Sequence, residues 1–199
     1  HPAAFGFYAN KQLTTGEGGM LTMGSAEHKE RVDSERNQGR APDMGWLDHD
    51  RLGFNYRLTD IACALGLAQL DRLDGMLADR ARAAGWYREA LADVEGLELP
   101  CADFGGDVRG WFVFVVQVPH GIARDSAIEG LRARGVQSKP YLPAIHLMSF
   151  YRERFGHREG EFPICEDIAA RSVALPFFPQ MTEGQVARVA EALTAVCGS

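Results

Sequence analysis

The sequence predicts an α/β protein, and three observations carry the prediction. First, RGWFVFVVQVP is a strongly apolar, β-branched and aromatic strand, followed by a helix over RDSAIEGLRARG and a strand at VQSKPYL. That strand–helix–strand order signals an α/β layer. Second, AAFGFY and GMLTM are two short apolar strands separated by a Gly-rich turn. Third, 46% hydrophobic and 24% charged residues are the balance of a globular chain, which excludes a disordered or fibrous one.

The elements follow in order. Ser25 can cap a helix over AEHKERVDSERNQ, which Gly39 would end. Residues 40 to 57 hold Pro, Gly and Asp without periodicity and read as a loop. From Thr59 or Asp60 as cap, Ile61, Leu65, Ala68, Leu70, Leu73 and Leu77 recur at helical spacing. Without Pro or a stop before Leu91, this pattern predicts one helix of about 30 residues. Its strongly apolar first half, IACALGLAQL, is expected to be buried. Such a helix commonly links two domains, and the boundary is set at residues 1–79 and 80–199. FPICEDIAARSVAL and TEGQVARVAEALTAVC read as helices, the second capped by Thr182.

Charge and cysteine usage exclude several functions. The net charge of −6, with basic residues interleaved among acids, argues against a nucleic-acid surface. Four widely spaced cysteines without a CxxC pair argue against a zinc site and predict reduced thiols in a cytoplasmic protein. No run approaches the roughly 18 apolar residues of a membrane span.

The stretch FYANKQLTTGEGG poses the chemical question. Lys11 stands between a buried strand and a flexible turn. It is either a surface lysine at a strand end or a desolvated amine able to form a Schiff base. TTGEGG lacks the GxxxxGK[ST] spacing of a nucleotide loop, so a tight turn is the plain reading. Trp111 and Phe112 read as strand core, with stacking on a sugar or base as the other possibility.

Three segments taken together decide between these readings. FYANKQLTTGEGG, RNQGR and RLGFNYRLTDIACALGLAQL, with KPYLPAIHLMSFYRERFG and ALPFFPQMTEGQV further on, closely resemble the sugar aminotransferases of the DegT/DnrJ/StrS family. The resemblance runs over essentially the whole chain. It implies the aspartate aminotransferase fold of pyridoxal-phosphate-dependent transferases, here a remnant of the large domain plus the C-terminal small α/β domain. It implies pyridoxal 5′-phosphate as cofactor, with Lys11 as the Schiff-base and proton-transfer residue. Asn55 of GFNYR is implied to reach the cofactor phosphate across a homodimer interface. Arg57 is implied to meet a carboxylate of the amino donor, glutamate, and His146 to approach the substrate, a nucleotide-linked keto sugar. By residue type alone, Asn55 is a turn residue, Arg57 a surface charge and His146 a packed histidine. Family dehydratases carry a His in place of the lysine, so Lys11 favours transamination.

In the family, the carboxylate for the pyridine nitrogen, the ring-stacking side chain and further phosphate donors come from before the lysine strand. This sequence begins a few residues before Lys11. It is therefore expected to be the C-terminal part of a longer protein, with a non-catalytic fragment as the alternative to an enzyme. Residues 80–199 are expected to form the ordered unit, and 1–79 to pack on a partner or self-associate.

Overall fold

The computed structural model describes residues 2–41 and 48–198. The chain divides into two units, His1–Asp74 and Gly75–Ser199. Part of the expected 40–57 loop, residues 42–47, lies outside the described residues.

In the first unit, β1 (Ala3–Gly6) pairs antiparallel with β2 (Gly19–Thr22), Ala3 opposite Thr22 and Gly6 opposite Gly19. Helix α1 (Ala26–Arg36) starts where the Ser25 side chain accepts the His28 backbone N–H. It closes with Gln38 and Gly39, both at positive φ. Helix α2 (Asp60–Leu70) is capped by Thr59, whose hydroxyl accepts the Ala62 N–H, and Asp60 is its first helical residue.

Three expectations fail here, the first being the buried strand before Lys11: all four residues of β1 are exposed. The single long helix does not form: after α2 the chain turns at Asp71 and Arg72 and resumes as α3 (Leu73–Ala90). At the break the backbone tightens, and the Arg72 N–H bonds to Gln69 O, three residues back, instead of four. Nor is the apolar first half buried. No residue of α2 is buried, and Ile61 and Leu67 are 85% and 65% exposed. A hairpin and one polar helix offer too little apolar surface to cover a helix that is apolar all round.

The second unit is built on a three-stranded sheet in the order β3 (Phe114–Gln117), β5 (Ser172–Leu175), β4 (Lys139–Pro140). The central β5 is antiparallel to both neighbours. The predicted strand–helix–strand unit is present as β3, α4 (Arg124–Ala133) and β4, with β5 inserted between its strands. SVAL was expected to continue a helix. Instead α6 (Pro163–Arg171) stops and SVAL becomes the central strand. Its backbone pairs on both sides, and three of its four residues are buried, conditions that favour a β-branched strand over a further helical turn. A short 3-10 turn (Ile145–Leu147) and α5 (Ser149–Phe155) precede α6.

The core lies on one face of this sheet. Along β3, Phe114 and Val116 are buried while Val115 and Gln117 are half-buried, the period-2 pattern of a one-sided strand. Tyr87 and Leu91 of α3, Leu131 of α4 and Leu193 of α7 (Glu183–Cys197) pack against it. Thr182 and Gln185 form a reciprocal capping box at the start of α7. Trp111 belongs to this core, 7% exposed, with its ring 5.7 Å from Phe114 and the Arg109 guanidinium over it at 4.6 Å. Among the described residues no helix is long and apolar enough to cross a membrane.

Candidate active site

Lys11 lies, half-buried, in the connection between β1 and β2. Its backbone N–H bonds to Tyr8 O at 3.0 Å. The following threonines knit the loop from within. Thr14 Oγ1 donates to Phe7 O and accepts the Gly16 N–H; Thr15 N donates to Phe7 O and Thr15 Oγ1 to Glu17 O. Glu17 thus supports the turn through its carbonyl. Gly18 closes the loop at φ +152°, where a Cβ would lie 2.6 Å from Thr15 Oγ1 and 2.9 Å from Leu58 Cδ1. Only glycine fits there. The turn therefore holds Lys11 on an internally satisfied frame, packed against the segment that carries Asn55 and Arg57.

That segment docks on the end of α1. Phe54 N donates to Glu35 O, Gln38 N to Phe54 O and Tyr56 N to Arg36 O, at 2.7, 2.9 and 2.8 Å. Asn55 sits in an antiparallel bridge with Asn37, its side chain exposed. Arg57 Nη1 donates to Asn37 Oδ1 at 3.0 Å and to Gln38 Oε1 at 3.3 Å. The motif RNQGR thus meets GFNYR directly. Neither Asn37 nor Gln38 carries a local sequence signal for this contact, since they lie 20 and 19 residues from Arg57.

Arg57 also lines a cavity of about 920 Å3 in the first unit, with Tyr56, Leu58, Arg36, Glu17 and Asp33. Asp33 is already engaged by Lys29 and Arg36, whose hydrogen bonds hold its carboxyl below the ordinary range.

His146 belongs to the second unit, in the 3-10 turn, and is 9% exposed. Its Nε2 is 2.9 Å from Glu166 Oε1, and its ring meets Phe162 edge-on at 4.8 Å. Glu166 also accepts the Gly160 and Phe162 N–H groups. His146 is one wall of a cavity of about 1380 Å3, with Tyr141, Leu142, Ile145, Phe162 and Ile168 among its apolar lining. The first unit thus brings together the loop of Lys11 and the segment of Asn55 and Arg57, and His146 lines a pocket of the second unit. Glu166, its partner, carries no sequence signal beyond a helical acid.

The whole chain bears comparison with known proteins. Residues 1–194 match the DegT/DnrJ/EryC1/StrS aminotransferase family. The chain belongs to that family. It is 34% identical over 197 residues to GDP-perosamine synthase of Caulobacter vibrioides, covering 98% of this chain and 52% of that protein. It is 33% identical over 203 residues to the spore coat polysaccharide biosynthesis protein SpsC of Bacillus subtilis, covering 96% and 52%. Among solved structures it resembles the aminotransferase TlmJ of Streptoalloteichus hindustanus, with a TM-score of 0.87 and 27% identity over 99% of this chain and 52% of that one. The chain spans about half the length of the curated relatives it matches.

The fold is accordingly that of the pyridoxal-phosphate-dependent aminotransferases, and pyridoxal 5′-phosphate is the family's cofactor. The residues present fit its aldehyde end. Lys11 offers a primary amine on a turn whose threonine hydroxyls are spent inside the turn, and at Gly18 of the same turn a Cβ would meet Thr15 Oγ1 and Leu58 Cδ1.

Proposed function

We propose that the protein carrying this chain transfers an amino group from glutamate to a nucleotide-linked keto sugar in the cytoplasm, as a homodimer sharing its sites across the interface. The observation that carries this is the loop of Lys11, buttressed by Thr14, Thr15 and Gly18 and packed through Leu58 against the Asn55–Arg57 segment. The name of GDP-perosamine synthase supports a sugar as acceptor.

When bound, pyridoxal phosphate supplies an electron sink for the carbon that loses its proton. Lys11 would hold the cofactor's aldehyde through its Nζ. Once released, the same nitrogen would carry a proton between the substrate carbon and the cofactor's C4′, which requires a neutral amine. The Asn55 amide, exposed on its bridge, donates to the cofactor phosphate of the partner subunit. The Arg57 guanidinium grips a donor carboxylate through paired N–H groups. His146, its ring held by Glu166, contacts the sugar substrate. The exposed apolar α2 supports a covered face in the assembly.

The same exposed helix, with the half-length match, also favours a second reading: a chain that folds and self-associates without catalysis. One experiment separates the two. The chain has three lysines, Lys11, Lys29 and Lys139. After incubation with pyridoxal phosphate and borohydride reduction, peptide mapping should find the adduct on Lys11 alone, and Lys11→Ala should abolish it. Labelling spread over Lys29 and Lys139 would favour the non-catalytic reading.

A further inference from the structure

We propose that Asn37 and Gln38 are positioning residues for Arg57: neutral oxygens that orient its guanidinium without cancelling its charge, so that the charge is kept for a carboxylate of the amino donor. This rests on the reading of Arg57 given above.

Three arginines of this region set the contrast, while Arg40 shares the Gln38 oxygen, its Nη2 donating to Gln38 Oε1 at 3.5 Å. Arg31 is bound to Glu35, Arg36 to Asp33 and Arg51 to Asp50. Each of these cations is already matched by a carboxylate. Among the described residues no carboxylate pairs with Arg57. Its Nη1 instead meets two amide oxygens, Asn37 Oδ1 and Gln38 Oε1. A guanidinium has five N–H donors in a planar fork. The two amides occupy Nη1, and the edge formed by Nε and Nη2 keeps the geometry that a carboxylate accepts in a bidentate way.

The two acceptors are themselves fixed. Asn37 caps α1, its N–H bonded to Ser34 O, and it bridges Asn55. Gln38 holds φ +71°, a strained value for a residue with a side chain, with its N–H on Phe54 O and its carbonyl facing His49 Nδ1 at 3.0 Å. A strained residue retained by bonds on both sides places its side chain deliberately. Glu17, which lines the same cavity, is the acid that would compete for the cation.

The test is a charge change at constant shape, read on the cofactor-loaded enzyme. Asn37→Asp keeps the acceptor oxygen and adds a negative charge. The dissociation constant for glutarate, a dicarboxylate without the amine, measured by calorimetry, is expected to rise at least about tenfold, the effect of about 1.4 kcal/mol. The KM for glutamate should rise in step while kcat at saturation holds. In an Arg57→Ala background, Asn37→Asp should add nothing. Should Asn37→Asp unfold the protein, Gln38→Glu makes the same change on a more exposed side chain. If Arg57→Ala weakens glutarate binding and neither acidic variant does, the inference is overturned and the function above stands. If Arg57→Ala leaves binding unchanged, the reading of Arg57 falls, and the inference falls with it.

Discussion

Gly39 and Gly53 meet backbone to backbone. A Cβ on Gly53 would lie 2.1 Å from the Gly39 nitrogen, and one on Gly39 would lie 1.9 Å from Arg51 O. These two glycines let the end of α1 and the GFNYR segment approach closely enough to exchange the hydrogen bonds that hold Asn55 and Arg57. Gly53→Ala should therefore destabilise the first unit by about 1–3 kcal/mol through overpacking. Gly39→Ala should cost a further ~1–2 kcal/mol, because its φ of +77° disfavours a side chain. Chemical denaturation checks the magnitudes. Hydrogen exchange should show the Phe54 and Tyr56 amides losing protection, and unchanged protection would mean that the segment is held by something else.

In the second unit, the Tyr87 hydroxyl donates to Pro176 O at 2.7 Å, and its ring stacks on Phe114 at 4.7 Å. Burial pushes the phenol's ionisation well above its ordinary value, so the hydrogen bond survives in alkaline solution. Tyr87→Phe keeps the stack and removes the donor from a part-buried carbonyl. The expected loss is about 1–3 kcal/mol, seen as a lower thermal midpoint. No change would show that the Pro176 carbonyl finds water when the hydroxyl is gone.

What the sequence made legible was local. The caps at Ser25, Thr59 and Thr182 rest on one side chain and an amide within three residues, and the helices start where those residues stand. The family was legible from ordered motifs. The failures are non-local. Ser172–Leu175 continues the apolar pattern of α6, and only its pairing with β3 and β4 makes it a strand. The break at Asp71 and Arg72 carries neither Gly nor Pro. In the candidate site, Lys11 could be singled out because its turn surrounds it in sequence. The support of Arg57 by Asn37 and Gln38 spans 20 and 19 residues, and no spacing rule connects them.

The Glu166 carboxylate is the hub that ties His146 to the loop before α6. It accepts the Gly160 N–H at 3.0 and 2.8 Å, the Phe162 N–H at 3.1 Å and the His146 ring at 2.9 Å. The Gly160 N–H first, then His146 and Phe162, hold its carboxyl below the ordinary glutamate range against the opposing effect of desolvation. The sign follows from linkage. A carboxyl depressed in the folded state contributes stability that is complete above its unfolded value, about 4.3, and is lost as pH falls through the folded value. The Gly160 and Phe162 amides should therefore keep their protection at pH 7 and lose it on acidification below about pH 4. Glu166→Gln cannot supply a carboxylate to both donors and the ring, so protection should already be low at pH 7 and no longer vary across that acid window. Amide exchange by NMR, corrected for the intrinsic pH dependence of exchange, reads both effects. If the Gln variant keeps full protection and the same acid transition, the loop is held by packing of Phe162 on His146, and the carboxylate is dispensable.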